Sequence, residues 1–248
     1  MCRDMMIQEN LTISGAVREG AKRLKQCGIE NADYDSYALL SEINGMDRTY
    51  YLMNGSKLLT RVEQERFFDY IERRSGHEPL QHILGRTFFY GHEFKVSPDV
   101  LIPRPDTEVL VETVLEKADI PGGKILDMCT GSGCILISLM ALGSYGRGVG
   151  ADISEDALRV ARMNGIFNRE NWEKNGRGAN DILWLQSNLF EKVSGRFDVI
   201  VSNPPYIPAA VIETLMPEVR VYEPRLALEG ADEGLEFYKK IAGAAEAY

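Results

Sequence analysis

The segment from residue 124 to residue 202 alternates short apolar runs with helix-like runs, and this alternation constrains the fold more than any other feature of the sequence. Four short, mostly apolar runs predict strands, at residues 124–128, 147–151, 182–186 and 197–202. Helices are predicted at residues 134–142 and 154–168, where Ser154 is a suitable N-cap. Because parallel strands need crossover connections, the alternation predicts an α/β fold with a doubly wound sheet.

Residues 1–75 have the pattern of a small helical bundle with short connections. Apolar residues recur at helical spacing over residues 13–27 and 33–43, and a capping box opens a further helix over residues 60–74. We interpret this segment as a domain that docks a partner. The simpler alternative is that its helices serve packing alone.

Residues 76–102 have a third pattern, which predicts a β-hairpin linker. Two short strand-like runs, at residues 87–90 and 93–96, lie on either side of a predicted turn. The α/β domain is expected to follow at residues 103–248. Within it, the polar, glycine- and asparagine-rich residues 170–181 predict a loop.

Composition restricts the classes of partner. The chain has a net charge of −9, so it does not have the excess of basic residues that nucleic-acid-binding proteins carry. No apolar run approaches the roughly 18 residues that span a bilayer, and the N-terminus lacks the apolar core of a signal peptide. The four cysteines fit no zinc or disulfide pattern and the three histidines have no metal-ligand spacing, so we expect a cytoplasmic protein without a metal.

The turn at residues 127–133, Asp-Met-Cys-Thr-Gly-Ser-Gly, follows the first strand of the predicted sheet and precedes a helix. Its glycines let backbone N–H groups approach a ligand closely. A dinucleotide fingerprint would place glycine or alanine where this chain has Leu136, so a smaller charged group such as an amino-acid carboxylate fits better than a pyrophosphate. Asp152, at the end of the second strand, is placed to accept hydrogen bonds from ribose hydroxyls. We predict an adenosine-containing cofactor; a plain strand-to-helix turn is the alternative.

Polar residues also follow the third and fourth predicted strands. After the third strand, Asn188 could meet the edge of an adenine ring and Leu189 could cover its face. The fourth run is continuous and β-branched, which predicts a buried strand, and the sequence Asn-Pro-Pro-Tyr follows it at residues 203–206. Two prolines cannot continue a strand, so the chain must turn there. Such a turn presents a carboxamide, a fixed carbonyl and an aromatic ring, which suit a planar amino or amide group.

Together these residues resemble the class I S-adenosylmethionine-dependent methyltransferases, and residues 203–206 resemble the signature of members that methylate exocyclic or amide nitrogens. Residues 101–108, Leu-Ile-Pro-Arg-Pro-Asp-Thr-Glu, are similar to the motif ahead of the catalytic domain in the HemK/PrmC family. Members of that family methylate the side-chain amide nitrogen of a glutamine in peptide chain release factors. Residues 79–85 and 223–230 are also similar to segments of that family.

The resemblance implies a Rossmann-like methyltransferase sheet, S-adenosylmethionine as the cofactor and a peptide chain release factor as the protein partner, with no nucleic acid or membrane partner. The residues implied to contact the cofactor are Asp127, Cys129, Thr130, Gly131, Ser132, Gly133, Asp152, Asn188, Leu189 and Asn203. The residues implied to hold the target glutamine are Asn203, Pro204, Pro205 and Tyr206, of which Asn203, Pro204 and Tyr206 are implied to be catalytic.

Three further points follow from the resemblance. The position of Asn188 is usually acidic in such enzymes. Arg104, Thr107 and Glu108 match the family motif, and we expect them to brace the site rather than to react. Class I methyltransferases generally continue with three more strands, and no strand is predicted after the helix-like run at residues 235–247, so we expect the domain to lack the last strands of the fold.

Three alternatives to release factor methylation remain open. A DNA adenine methyltransferase has a similar target nitrogen and a similar tetrapeptide, but it needs a basic groove. The substrate could instead be a glutamine of another protein. The third alternative is a non-catalytic fragment that binds the cofactor only.

Overall fold

The computed structural model describes residues 10–174 and 181–248, and the chain divides into two units between Leu84 and Gly85. The first unit is helical. Its helices are α1 (Ile13–Gln26), α2 (Ala32–Asn44), α3 (Arg48–Asn54), α4 (Arg61–Ser75) and α5 (Leu80–Leu84). The predicted capping box is present, because the Thr60 side chain accepts a hydrogen bond from the Glu63 N–H and the Glu63 carboxylate accepts one from the Thr60 N–H.

Helices α1, α2 and α4 surround the apolar core of the first unit. Their closest approach is at Gly20 of α1, where an added Cβ would overlap the Ser36 hydroxyl and lie 2.7 Å from Cζ of Phe67. A buried ion pair, Arg74 Nε to Asp35 Oδ2 at 2.8 Å, joins α4 to α2. Removing one partner of such a pair would leave an uncompensated buried charge, so the pair fixes how these helices pack.

The second unit begins with a hairpin and continues as an α/β sheet. The hairpin strands are β1 (Arg86–Phe89) and β2 (His92–Lys95). The elements of the sheet region are α6 (Pro105–Lys117), β3 (Lys124–Met128), α7 (Cys134–Leu142), β4 (Arg147–Asp152), α8 (Glu155–Lys174), β5 (Asp181–Gln186) and β6 (Val199–Ser202). Three helices follow, α9 (Ala209–Ile212), α10 (Pro217–Arg220) and α11 (Glu236–Ala245), with 3₁₀ turns at Arg225–Ala227 and Asp232–Gly234.

The four sheet strands are parallel and lie in the order β5-β4-β3-β6. From β3 the chain adds β4 and then β5 on one side, and it then crosses to place β6 on the other side of β3. The strand order therefore reverses between β3 and β6, and open α/β sheets bind ligands at the carboxyl ends of strands at such a switch point. The predicted α/β fold is confirmed.

Both faces of the sheet are covered. On one face, Ile125 packs in a core with residues of α6 and α7 such as Val111 and Leu136. On the other, Leu126 and Met128 pack with Phe190, and Ile241 of α11 lies against this cluster. Successive side chains of β3 thus pack into the cores on opposite faces of the sheet, because successive side chains of a strand point to opposite faces.

The hairpin is tied to the sheet region through α6 and α8. Its turn, Tyr90-Gly91, has φ angles of +48° and +77°, as a two-residue type I′ turn requires, and the Glu108 carboxylate of α6 accepts the Tyr90 N–H at 2.7 Å. Buried Asn164 of α8 accepts from the Lys95 N–H (2.6 Å) and donates to the carbonyls of Lys95 (3.0 Å) and Ser132 (2.9 Å). One carboxamide therefore joins strand β2 to the turn after β3.

Two predictions about secondary structure are wrong. Residues 170–174 were expected in a loop, but α8 continues to Lys174, because the two glutamates and the lysine there are good helix formers despite their polarity. Residues 175–180 of that predicted loop lie outside the described residues, and its last residue, Asp181, begins strand β5. Strand β6 was expected to be buried, but only Val201 is, since β6 is an outer strand of the sheet that the described residues form.

Helices α3 and α5 were not predicted from the sequence. Both are short, and α3 buries none of its residues, so it leaves no apolar periodicity to detect. In the part of the chain that the structure describes, no helix is both long and apolar enough to cross a membrane.

We expect Asn164→Ala to lower the free energy of unfolding by about 2–4 kcal/mol, because it leaves buried backbone groups without partners. Met163→Ala, at an exposed neighbouring position of α8, serves as the control and should change stability by less than about 0.5 kcal/mol. Urea unfolding measures both. Equal values for the two variants would contradict the assigned role of Asn164.

Candidate cofactor and substrate site

A cavity of about 280 Å³ opens where the four parallel strands end. Residues that follow each strand line it: Cys129, Thr130, Gly131 and Ser132 after β3, Ile153 and Ser154 after β4, Ser187, Asn188 and Leu189 after β5, and Asn203 and Pro205 after β6. The last residue of β4, Asp152, is part of the same wall. The strand ends thus bring together side chains that are far apart in the sequence.

The turn after β3 is held open by its backbone geometry and by Asp152. Cys129 and Gly131 have φ angles of +60° and +54°, in the left-handed region. The Gly131 N–H donates to Asp152 Oδ2 at 2.9 Å, and the Thr130 N–H donates to the Ala151 carbonyl at 3.0 Å. A Cβ added at Gly131 would meet no atom within 4 Å, so open space adjoins this backbone.

Asp152 retains acceptor capacity toward the cavity. Its Oδ1 accepts the Ser154 N–H at 2.9 Å, and its Oδ2 accepts the Gly131 N–H. Burial raises the pKa of this carboxyl, while the backbone N–H groups favour its charged form. The Ile153 backbone amide also hydrogen-bonds to this carboxylate. Since two carboxylate oxygens together have about four acceptor positions, acceptor capacity remains for a ligand hydroxyl.

Asp127, Cys129 and Cys134 have raised pKa values beside this turn. Asp127 is fully buried and accepts the Thr130 hydroxyl at 2.6 Å. Burial raises the pKa of Asp127 to about 7, although the Thr130 hydroxyl and the Leu136 backbone amide favour the charged form. Burial also raises the pKa of Cys129 and of Cys134 to about 12, so both thiols stay protonated at neutral pH.

Asp127 and Gly133, both predicted to contact the cofactor, do not line the cavity. Asp127 lies in the interior below the turn. A Cβ at Gly133 would lie 2.9 Å from Cη2 of Trp184, and one at Gly150 would lie 2.6 Å from its Cε3. Both glycines therefore make room for the Trp184 ring on the face of the sheet.

After β5, Ser187, Asn188 and Leu189 form a second part of the wall. Asn188 Nδ2 donates to the Glu191 carboxylate at 2.7 Å. Leu189 has a φ of +48°, an unusual conformation for a leucine, and the Ser187 hydroxyl donates to its carbonyl at 2.7 Å. The strained turn thus has a specific hydrogen bond that holds it.

After β6, the proline turn (residues 203–206) presents Asn203 and Pro205 to the cavity, whereas Pro204 and Tyr206 lie outside its lining. Asn203 Nδ2 donates to the Thr107 hydroxyl of α6 at 3.3 Å. The Tyr206 side chain is 53% exposed. The structure thus places Tyr206 on the outer side of the turn rather than in the cavity.

A covering segment, residues 224–235, wraps around the proline turn. The Ile207 N–H donates to the Leu228 carbonyl (2.9 Å) and the Gly230 N–H to the Ile207 carbonyl (3.0 Å). At Gly234, where φ is +87°, an added Cβ would overlap the Tyr206 carbonyl oxygen. Glycine is required there both for the backbone conformation and for the close approach.

The three residues that we expected to brace the site make bracing contacts. Arg104 Nη2 pairs with Glu223 Oε2 at 2.6 Å, and the Glu223 side chain is buried. Thr107 holds Asn203, and Glu108 holds the hairpin turn. Burial raises the pKa of Glu223, while the Arg104 guanidinium favours its charged form.

Other lining residues were not identified from the sequence. Val100 and Leu101 follow the hairpin, Leu226 belongs to the covering segment, and Phe237 and Lys240 belong to α11. Leu101 and Leu226 belong to two segments that resemble the HemK/PrmC family, but no place in a cavity was predicted for them. The residue types of the others give no signal by themselves. Among the described residues, no group of three or more histidine, cysteine, aspartate or glutamate side chains could hold a metal ion.

Two family models match the sequence. Residues 15–85 match the PrmC N-terminal domain, and residues 105–218 match the methyltransferase small domain. A release factor glutamine methyltransferase of Agrobacterium fabrum is 39% identical over 236 residues, which are 93% of this chain and 79% of that protein. A protein of the same name in Geobacter sulfurreducens is 42% identical over 226 residues, 91% of this chain and 76% of that one.

This chain belongs to the release factor glutamine methyltransferase family. The family predicted from the motifs is therefore confirmed. Solved structures also overlap with it: a ribosomal protein L11 methylase from Lactobacillus delbrueckii is 25% identical, with 58% of this chain and 69% of that one covered and a TM-score of 0.35. A methyltransferase from Pyrococcus furiosus is 20% identical, with 63% and 64% covered and a TM-score of 0.42. The assignment rests on the sequence relatives.

We expect Asp127→Asn to change how stability depends on pH. The unfolded carboxyl loses its proton near pH 4, whereas the folded one keeps it to about pH 7, so the native protein loses stability as pH rises between these values. From about pH 5 to about pH 8, the stability of the variant relative to the native protein should rise by on the order of 2–3 kcal/mol. Chemical unfolding at both pH values measures this, and a pH-independent difference would contradict the raised pKa.

We expect Gly234→Ala to lower the free energy of unfolding by more than about 2 kcal/mol, through both the strained φ and the overlap with Tyr206. Gly195→Ala is a matched control, because Gly195 has a φ of +90° but open space around it. The control should lose only about 1 kcal/mol. If the two variants unfold alike, the close approach at Gly234 is not what holds the covering segment.

Proposed function

We propose that this chain transfers a methyl group from S-adenosylmethionine to the side-chain amide nitrogen of a glutamine in a peptide chain release factor. The observation that carries the proposal is the shared cavity, in which the glycine turn, Asp152 and Asn203 meet at the switch point of the sheet. Family membership supports the same reaction.

The cavity fits S-adenosylmethionine by the chemistry of its walls. The open backbone at Gly131 suits the amino-acid portion, and the remaining acceptor capacity of Asp152 suits a ribose hydroxyl. Asn188 and Leu189 suit the adenine. When bound, this cofactor supplies an electrophilic methyl group on a sulfonium centre.

The substrate amide must be held because its nitrogen is a poor nucleophile. Its lone pair is delocalised into the carbonyl, as the amide rotation barrier of roughly 18–20 kcal/mol shows. Asn203 Oδ1 and the Pro204 carbonyl each accept one N–H of the target glutamine. Fixing the nitrogen in this way can contribute on the order of 7–11 kcal/mol. Tyr206 lies on the outer side of the turn, so it packs against the amide plane only if the release factor presents its glutamine from that side.

The Thr107 contact supports this role of Asn203. In the structure Asn203 Nδ2 donates to the Thr107 hydroxyl, and this orientation leaves Oδ1 to accept from the substrate; the hydroxyl, which can both donate and accept, permits the orientation without fixing it. No general base is needed before the transfer, since the methylated nitrogen is strongly acidic and loses its proton afterwards.

The helical unit has a separate role. We propose that it docks the release factor, in line with the match of residues 15–85 to the PrmC N-terminal domain. The net charge of −9 argues against DNA as the substrate, because a flipped base would need a basic groove. A cytoplasmic setting follows from a substrate that acts in translation termination.

We expect Asn203→Ala to lower kcat by about 10²–10³-fold, because one of the two groups that orient the amide is lost. Thr107→Val should lower kcat about tenfold and leave the Kd of the cofactor unchanged. Thr113→Val, on the exposed side of the same helix, is the control and should be fully active.

The assay incubates the chain with labelled S-adenosylmethionine and a release factor and maps the added methyl group by peptide mass spectrometry. A methyl group on one glutamine, absent with Asn203→Ala, supports the proposal. Duplex DNA and a ribosomal protein are included as competing substrates. Labelling of either in place of the release factor would show that the proposed substrate is wrong.

A further inference from the structure

The loop after β5 contains a carboxylate whose role the proposed reaction does not explain. Glu191 accepts a hydrogen bond from Asn188 Nδ2 at 2.7 Å, and the Glu191 N–H donates to the Asn188 carbonyl at 3.2 Å. The Ser187 hydroxyl also accepts the Lys192 N–H at 2.9 Å. Asn188 and Glu191 are thus linked across one turn by a side-chain hydrogen bond and by a backbone hydrogen bond.

The Asn188–Glu191 pair fixes which end of the carboxamide points away from Glu191. An asparagine side chain has a donor end and an acceptor end that can exchange by rotation. An ionised carboxylate only accepts hydrogen bonds, so Nδ2 must face Glu191 and Oδ1 becomes the free end. The Thr107–Asn203 contact lacks this property, because a hydroxyl both donates and accepts.

A fixed acceptor at this place has a consequence for the ligand. Asn188 is part of the cavity wall, next to Leu189. The edge of adenine carries a 6-amino group that donates a hydrogen bond, whereas hypoxanthine carries a 6-oxo group that accepts one. Two acceptors facing each other are unfavourable, so a fixed Oδ1 favours the 6-amino purine.

We infer that Glu191 is a positioning residue that orients the Asn188 carboxamide and thereby makes the site selective for a 6-amino purine over a 6-oxo purine. This inference rests on the proposed function, because it takes the ligand to be an adenosine derivative. It also gives a reason why an amide serves at a position that is usually acidic in this class of enzyme. In this chain a carboxylate stands three residues later and acts through the amide.

Titration calorimetry with S-adenosylhomocysteine and S-inosylhomocysteine tests the inference without any turnover. The native chain should prefer the adenosyl ligand by about tenfold, a modest ratio because Asn188 and Glu191 are exposed. Glu191→Gln should reduce this preference to about twofold, mainly through tighter binding of the inosyl ligand, since a glutamine amide accommodates both orientations of Asn188. Glu112→Gln, an exposed acid on α6, is the control and should keep the native preference.

The outcomes separate this inference from the proposed function. A tenfold preference that survives in Glu191→Gln would overturn the role of Glu191. Equal binding of both ligands by the native chain would also overturn the role of Glu191, but it would not contradict the proposal that the cofactor is an adenosine derivative. If the native chain binds neither ligand, the proposed cofactor is wrong and the inference fails with it.

Discussion

The hydrogen bond from the Gly131 N–H to the Asp152 carboxylate joins the ends of β3 and β4, and the rest of the site depends on it. It holds a backbone turn that two left-handed residues, Cys129 and Gly131, would not keep alone. Asn164 supports the same turn from α8 by donating to the Ser132 carbonyl. The cavity wall after β3, which we propose contacts the cofactor, therefore depends on its main-chain geometry. Side chains that are far apart in the sequence hold that geometry in place.

Different elements hold the proline turn, which we propose binds the substrate. The proline turn after β6 is contacted by Thr107 of α6 and enclosed by the covering segment at residues 224–235. The Arg104–Glu223 ion pair connects the segments that carry these two supports. The motifs at residues 101–108 and 223–230 thus have a physical role: they hold the proline turn from two sides, and Asn203 of that turn lines the cavity.

The sheet and much of the site could be predicted because they depend on local patterns. Parallel strands end at one edge, so residues after them, such as Asp152 and Asn203, had to converge. The extent of α8 was predicted wrongly, because the helix-forming glutamates and lysine of residues 170–174 were interpreted as polar loop residues. The partial burial of β6 depends on which elements pack beside it. Phe237 of α11 and the Thr107–Asn203 contact likewise follow only from tertiary structure, and Gly133 shows that a glycine in a binding motif can serve packing instead.

The central claim is that one cavity holds the cofactor on the glycine turn and the target amide on the proline turn. A crystal structure of the chain with S-adenosylhomocysteine and a glutamine-containing release factor fragment tests it most directly. The account predicts ribose hydroxyls on Asp152 and the glutamine nitrogen within about 3 Å of both Asn203 Oδ1 and the Pro204 carbonyl. A glutamine bound away from Asn203, or a nucleoside bound away from Asp152, would contradict it.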